Sequence, residues 1–173
     1  YYTDANGAFT IGWKTIDKGN KYYFDAQGVL VTGRRTIAGA EYYFNADGIM
    51  QVGIQEIDRV KYYFGTTGAM QYGWQTIEGK DYYFNESGAM VFGVQRIDES
   101  IYFFDAYGVK QTGWISSYNY LDSDNVLQTS ASSLKYFFDK SGVASTGWAE
   151  IDGSRYYFAV NGIMQTGLQT IDG

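Results

Sequence analysis

Four tryptophans, Trp13, Trp74, Trp114 and Trp148, each directly follow a glycine in this chain. Their flat apolar faces suit stacking on sugar rings, or packing between neighbouring structural units. Acid–base and nucleophilic chemistry is poorly provided for. The sequence has no histidine and no cysteine, which leaves a carboxylate pair of the glycosidase kind as the plausible catalytic device. The acids Asp17, Asp25, Asp58, Asp98, Asp105, Asp139 and Asp152 sit in turn-forming contexts, where a carboxylate serves the backbone. The run Asp122-Ser123-Asp124-Asn125 lacks the glycine and the distal glutamate of a calcium loop. No catalytic residue, metal or cofactor is expected, and the reading is a binding protein, not an enzyme.

The tryptophans must be held by hairpins. In the stretch Gly147 to Thr166, Asp152-Gly153 is a two-residue turn signal between runs rich in aromatic and β-branched residues. Counting outward places Ile151 opposite Ser154, Glu150 opposite Arg155, Ala149 opposite Tyr156 and Trp148 opposite Tyr157. Period-2 alternation then puts Ile151, Tyr156 and Phe158 on one face, composed like a core, and Trp148, Glu150, Arg155 and Tyr157 on the other. That second face is expected to be open, with its aromatics as a platform. Ala159-Val160-Asn161-Gly162 reads as a second turn, and Ile163-Met164 as apolar cover beneath the next hairpin.

One such hairpin is marginal in water, so neighbouring copies must cover one another. The opening glycines recur at Gly12, Gly33, Gly53, Gly73, Gly93, Gly113, Gly147 and Gly167, a 20-residue period with one extra residue in the Asp17-Lys18-Gly19-Asn20 turn and 14 extra after Gly113. The triplet of the second strand runs from Tyr22-Tyr23-Phe24 to Tyr156-Tyr157-Phe158. The expected fold is an all-β solenoid of stacked two-stranded hairpins, a single repeat array over 1–173. It has short repeats over 12–112, a long repeat over 113–146, a short repeat over 147–166, and partial repeats at 1–11 and 167–173. Tyr118 and Tyr120 followed by the polar Asp122 to Asn125 turn predict that the long repeat is a lengthened hairpin whose tip projects beyond the array. The turns Asp58-Arg59 and Asp98-Glu99 lack glycine and should be strained or longer. Beginning at Tyr1-Tyr2 and stopping at Asp172-Gly173, both inside repeats, the chain is expected to be part of a longer protein.

Composition narrows the partners. The 18 tyrosines and the absence of proline fit short aromatic strands. A net charge of -6 disfavours nucleic acid and anionic membranes, and no segment is apolar enough to insert as a helix. A monomer is expected.

The pattern Gly-Trp-x-x-Ile-Asp-Gly-x-x-Tyr-Tyr-Phe-Asp-x-x-Gly-x-Met, seen from Gly73 to Met90 and from Gly147 to Met164, resembles the cell-wall-binding and glucan-binding hairpin repeats of secreted Gram-positive proteins. Short repeats broken by one long one look most like the receptor-binding region of large clostridial glucosylating toxins. That resemblance implies a secreted, non-catalytic module holding its parent to cell-surface or cell-wall carbohydrate, with a trough where the long repeat meets the next. The carbohydrate-binding residues expected are Trp114, Tyr118, Tyr120, Trp148, Glu150, Arg155 and Tyr157, with Trp74 and Tyr83. The alternative is a choline, teichoic acid or glucan anchor of a bacterial surface enzyme. Choline-binding repeats carry a second tryptophan just before the aromatic pair, where this chain has Lys21, Glu41, Lys61, Asp81, Ile101, Lys135 and Arg155. On that count no useful choline affinity is expected.

Overall fold

The computed structural model describes residues 2–3, 6–7, 9–16 and 19–168. Asp17 and Lys18 of the enlarged turn, and the chain ends Tyr1 and Asp172-Gly173, lie outside the described residues. Among the described residues fifteen strands follow one another: β1 (Gly12–Ile16), β2 (Asn20–Phe24), β3 (Gly33–Ile37), β4 (Ala40–Phe44), β5 (Gly53–Ile57), β6 (Val60–Phe64), β7 (Met70–Gln71), β8 (Gly73–Ile77), β9 (Lys80–Phe84), β10 (Gly93–Ile97), β11 (Ser100–Phe104), β12 (Gly113–Leu121), β13 (Leu127–Phe138), β14 (Gly147–Ile151) and β15 (Ser154–Phe158). No helix occurs among the described residues, and the fold is all-β, built of stacked two-stranded hairpins. The chain forms two compact units, residues 1–75 with 84–90 and residues 76–83 with 91–173, the boundary running through the β8–β9 hairpin.

The turn chemistry sets the register as expected. In β14–β15 the pairs are Trp148 with Tyr157, Ala149 with Tyr156, Glu150 with Arg155 and Ile151 with Ser154. Asp152 and Gly153 both take positive φ, at 52° and 75°, the mirror-image turn that matches strand twist. Asp58-Arg59 and Asp98-Glu99 keep two-residue turns, with Ile57 opposite Val60 and Ile97 opposite Ser100. They are therefore not lengthened. The cost falls on the backbone instead: Arg59, a residue with a Cβ, sits at φ 67°.

Most second turns are Asx turns, the exceptions being those that open on Gly65 and Ala159. Asp139 Oδ1 accepts from the backbone N–H groups of Ser141 and Val143, and Asp25, Asn45, Asn85 and Asp105 repeat the arrangement. The chain then doubles back so that one residue pairs with the last residue of strand two, as in Phe44 with Met50 and Phe158 with Met164. The same residue bonds the preceding hairpin: Met50 N–H donates to the Lys21 carbonyl, and Met164 N–H to the Lys135 carbonyl, both at 2.8 Å. The apolar pair thus clamps the hairpin before it as well as meeting the one after. A Cβ on Gly68, whose φ is 87°, would lie 2.2 Å from the Met50 sulfur, so that contact leaves no room for a side chain.

The third triplet position is the core. Phe44, Phe64, Phe84, Phe138 and Phe158 are fully buried, and Phe24 and Phe104 nearly so. What covers them corrects the two-face reading. Tyr43 stacks on Phe64 at 6.1 Å and Tyr63 on Phe84 at 5.8 Å in the first unit; Phe103 meets Phe138 at 6.2 Å in the second. The second face of one hairpin is roofed by the first face of the next, so in a one-way stack neither face is simply solvent-facing.

The long hairpin is also not a free projection. β12 and β13 keep register from Gly113 opposite Phe138 to Ser117 opposite Leu134, then shift so that Asn119 pairs with Thr129. Asp122 to Asn125 forms the same Asx turn, with Asn125 at φ 61° where the other copies have glycine. The tip is tied to its neighbours: the Arg96 Nε–H donates to Asn125 Oδ1, and Asn161 Nδ2–H donates to the Leu121 carbonyl at 3.1 Å.

Candidate binding site

A repeat-to-repeat junction is defined by four side chains. They are the residue after the opening glycine, the residue before the triplet, and, from the next repeat, the first triplet residue and the residue that doubles back. Two junctions fill these positions with tryptophan, lysine, tyrosine and methionine. In the first unit Trp13, Lys21, Tyr42 and Met50 line a depression of about 240 Å³ with Lys14, Thr15 and Thr67. In the second unit Trp114, Lys135, Tyr156 and Met164 line one of about 280 Å³.

The ring geometry is nearly the same in both. Trp13 lies 5.2 Å from Tyr23, its partner across the hairpin, 4.9 Å from Tyr42 and 5.8 Å from Phe44. Trp114 lies 5.2 Å from Phe137, 5.0 Å from Tyr156 and 6.1 Å from Phe158. The near pairs are edge-to-face, and Trp13 and Trp114 remain 42% and 40% exposed. An aromatic corner with a polarisable thioether holds a compact, weakly hydrated cation by cation–π attraction, about 0.5–2 kcal/mol per ring. It equally suits the apolar face of a sugar.

Other junctions carry different side chains on the same backbone. Arg34 stands where the tryptophan would be, with its guanidinium 4.6 Å over the Tyr62 ring and paired to Glu41. That aromatic ring already has a cation. Val94, Ile101, Tyr136 and Ala144 form a fully apolar junction, joined by Leu121 and Phe138 in one buried cluster. Burial pushes the Tyr136 phenol well above its ordinary pKa, and its O–H donates to the Asn119 carbonyl at 3.2 Å. Asp81 pairs with Lys110 at 2.9 Å and accepts from the Thr76 hydroxyl at 2.7 Å, and these bonds hold its carboxyl below the usual range.

The residues expected from sequence are distributed as follows. Trp114 lines the depression at the junction after the long hairpin, the place anticipated for a trough. Tyr118 and Tyr120 do not join Trp148, Glu150, Arg155 and Tyr157 there: Tyr118 is 59% exposed, while Tyr120 packs on the buried cluster with Val94 and Tyr136. Trp148 serves the junction after its own hairpin, because each second face looks toward the following repeat. With Arg155, Tyr157 and residues to Leu168 it lines a depression of about 430 Å³, and the Arg155 guanidinium covers one indole face at 4.5 Å. Glu150 is exposed opposite Arg155. Trp74 on β8 is 40% exposed, and the Tyr83 carbonyl accepts from Val91 N–H. Sequence reasoning did not single out Lys21, Tyr42, Met50, Tyr156 and Met164 as members of a site. The signal was available only on reading each column together with the next repeat's columns.

Comparison with known proteins agrees with this geometry. Residues 31–71, 51–92 and 72–106 match the Choline-binding repeat, and residues 11–30 and 146–164 match the Putative cell wall binding repeat. No curated protein sequence matches the chain. Among solved structures, CbpJ of Streptococcus pneumoniae TIGR4 superposes with a TM-score of 0.81 at 28% identity, over 100% of this chain and 65% of that one. Choline binding protein F of Streptococcus pneumoniae gives 0.77 at 29% identity, over 100% of this chain and 57% of that one. The same protein F in the presence of a peptidoglycan analogue, a tetrasaccharide-pentapeptide, gives 0.77 at 28%, over 98% and 57%. The chain therefore spans less than two thirds of these relatives. The stretches 31–106 and 11–30 with 146–164 are thus similar to choline-binding and putative cell wall binding repeats respectively.

Proposed function

We propose that this chain attaches its parent protein, outside the cell, to a Gram-positive cell wall by holding choline groups of wall polymers in the pockets at Trp13–Tyr42 and Trp114–Tyr156. The observation that supports it is the recurrence of one aromatic and thioether geometry at two junctions of a chain whose residues 31–106 match the choline-binding repeat. Each pocket is shallow and weak by itself, so retention rests on several sites engaging one polymer surface together. The comparisons favour this wall-anchor reading over toxin-type attachment to cell-surface glycans.

A saccharide reading stays with Trp148, Arg155 and Tyr157. Their depression is wide and combines an indole with a guanidinium, the mixed polar and aromatic make-up of a sugar subsite. Trp74, Tyr83, Tyr118, Tyr120 and Glu150 take no part in either reading.

The test is retention of the 173-residue chain on choline-bearing cell walls. Release by soluble choline or its phosphate ester, with no release by galactose-containing oligosaccharides, is the expected result. Release by the oligosaccharide alone would replace wall-choline binding with glycan binding.

A further inference from the structure

We infer that Met50 and Met164 are the oxidant-sensitive positions of this chain, and that turning their thioethers into sulfoxides loosens its hold on the wall. The reactant is a small two-electron oxidant of the peroxide or hypohalous acid class. The modification stands on the packing of four methionines, and its effect on retention rests on the proposed function.

The methionines of the sequence, Met50, Met70, Met90 and Met164, all occupy one position of the repeat, the residue that doubles back to pair with the last residue of strand two. They share a backbone setting and differ in cover. Met70 and Met90 are buried, each 5% exposed, while Met50 and Met164 are half-buried. Met164 lines the depression at Trp114, an adjoining one of about 320 Å³ with Ser132 and Ser133, and the one of about 430 Å³ at Trp148. Met50 lines the depression at Trp13, with its sulfur close against Gly68. A dissolved oxidant therefore reaches Met164 first, Met50 second and the buried pair last. The sequence has no cysteine, so its reversible sulfur oxidation is confined to this one column of the repeat.

With hydrogen peroxide the step balances without a further reactant. A sulfur lone pair attacks one peroxide oxygen, the S–O bond forms and the O–O bond breaks. The proton on the attacked oxygen passes to the departing hydroxide, which leaves as water; the sulfur is oxidised by two electrons and the peroxide is reduced by two. The product carries a dipolar, hydrated oxygen where an apolar, polarisable sulfur stood. That thioether lines one pocket with Trp13 and Tyr42 and the other with Trp114 and Tyr156. A weakly hydrated ligand packing there must strip water from the new S–O group and forgoes the sulfur contact. Leu30 holds the same position opposite Phe24, so the fold accepts an apolar side chain without sulfur. The clamp to the preceding hairpin uses only the backbone N–H of Met50 and Met164, and the sulfoxide leaves that donor in place.

The experiment treats the whole chain with limiting hydrogen peroxide, maps the gain of oxygen residue by residue by peptide mass spectrometry, and measures retention on choline-bearing walls before and after. Sulfoxide is expected at Met164 and then Met50, with Met70 and Met90 spared until urea unfolds the chain. Oxidation of Met70 and Met90 as early as the other two in the folded chain overturns the inference. Retention should weaken about tenfold, the order of a lost sulfur–aromatic contact and a desolvation cost in each pocket. It should return on treatment with methionine sulfoxide reductases and a dithiol, which becomes a disulfide as the oxygen leaves as water. A loss that this treatment does not reverse, or undiminished retention of a chain oxidised at both positions, overturns the effect on the anchor. Met50→Leu with Met164→Leu, checked for folding by a thermal melt, should hold its retention through peroxide, whereas Met70→Leu with Met90→Leu should lose it as the natural chain does. The reverse pattern assigns the sensitivity to the buried pair and sinks the inference. If the untreated chain is not retained on walls at all, the proposed function fails and the loss of retention fails with it, while the oxidation map still decides which methionines are open.

Discussion

The junctions on either side of the long hairpin share a backbone and differ in almost everything else. Before it, Ala144 N–H donates to the Ile101 carbonyl at 2.9 Å; after it, Met164 N–H donates to the Lys135 carbonyl at 2.8 Å. The first junction closes on Val94, Ile101, Tyr136 and Ala144, all buried. The second stays open between Trp114, Lys135, Tyr156 and Met164. Stacking and ligand recognition are therefore separable in this fold. The backbone clamp sets the spacing of the hairpins, and four side-chain positions decide whether the gap becomes core or pocket.

The largest effect expected is on the closed side. Tyr136→Ala removes a fully buried ring from the cluster and should cost about 3–5 kcal/mol. Tyr156→Ala, at the same position of the open junction, removes a half-buried ring and should cost about 1–2 kcal/mol while abolishing binding at Trp114. Urea denaturation checks the first difference and ligand titration the second. Equal destabilisation by the two changes would mean that the open junction is core in disguise.

A smaller effect separates pockets from stacked rings. Arg34 occupies the tryptophan position of its junction and places its own cation over Tyr62. Arg34→Trp should free that ring, leave Glu41 without its partner, and add a third cation site. A quaternary ammonium probe should then saturate at a higher stoichiometry, with stability changed by about 1 kcal/mol or less, the worth of an exposed cation–π contact and ion pair. Unchanged stoichiometry in a folded variant would show that tryptophan at this position is not sufficient to make a site.

Much of this was legible in the sequence, for local reasons. Asp152-Gly153 and the alternation around it specify the pairing of Trp148 with Tyr157, because turn type and period-2 patterning are properties of neighbouring residues. The buried phenylalanine ladder follows from the same alternation. What the sequence did not yield is non-local. A hairpin viewed alone has a core face and a free face, and only the stack reveals that the face carrying Trp114 is roofed by Tyr156 and Phe158 of the next repeat. The pocket is assembled from residues such as Trp114 and Met164, so its chemistry is divided between two copies. Tyr118 and Tyr120 are aromatics on an inserted segment, but Tyr120 packs against the buried cluster that contains Val94 and Tyr136.

Removing the charge of an open junction should have a modest effect that the closed one foretells. Lys135→Ile copies Ile101 into the position beside Trp114, Tyr156 and Met164. Partial burial of the new side chain should stabilise the chain by about 0.5–1 kcal/mol and, by removing a like charge from the pocket, should tighten choline binding at Trp114. A thermal melt and a choline titration measure both. A loss of stability instead would mean that Lys135 does more in the stack than line the pocket.

The smallest effect concerns a junction that is neither apolar nor open. Asp81 and Lys110 occupy the positions held by Ile101 and Ala144 on one side and by Lys135 and Met164 on the other, with the Lys110 N–H donating to the Asp81 carbonyl at 2.8 Å. The Lys110 ammonium, and then the Thr76 hydroxyl, hold the Asp81 carboxyl below its ordinary pKa. The folded state thus binds the proton less readily than the unfolded state. The pair's contribution is fully present above the unfolded carboxyl value of about 3.9 and is lost as pH falls through the depressed folded value. Because the Asp81 side chain is 39% exposed, solvent screens the pair and a few tenths of a kcal/mol is the expected worth at neutral pH. Asp81→Asn should lower the urea midpoint slightly at pH 7, and the gap between variant and natural chain should close as pH drops below about 4. A gap that persists undiminished to pH 2 would show that Asp81 acts through shape and hydrogen bonding, and that this junction, like the closed one, is held together without charge.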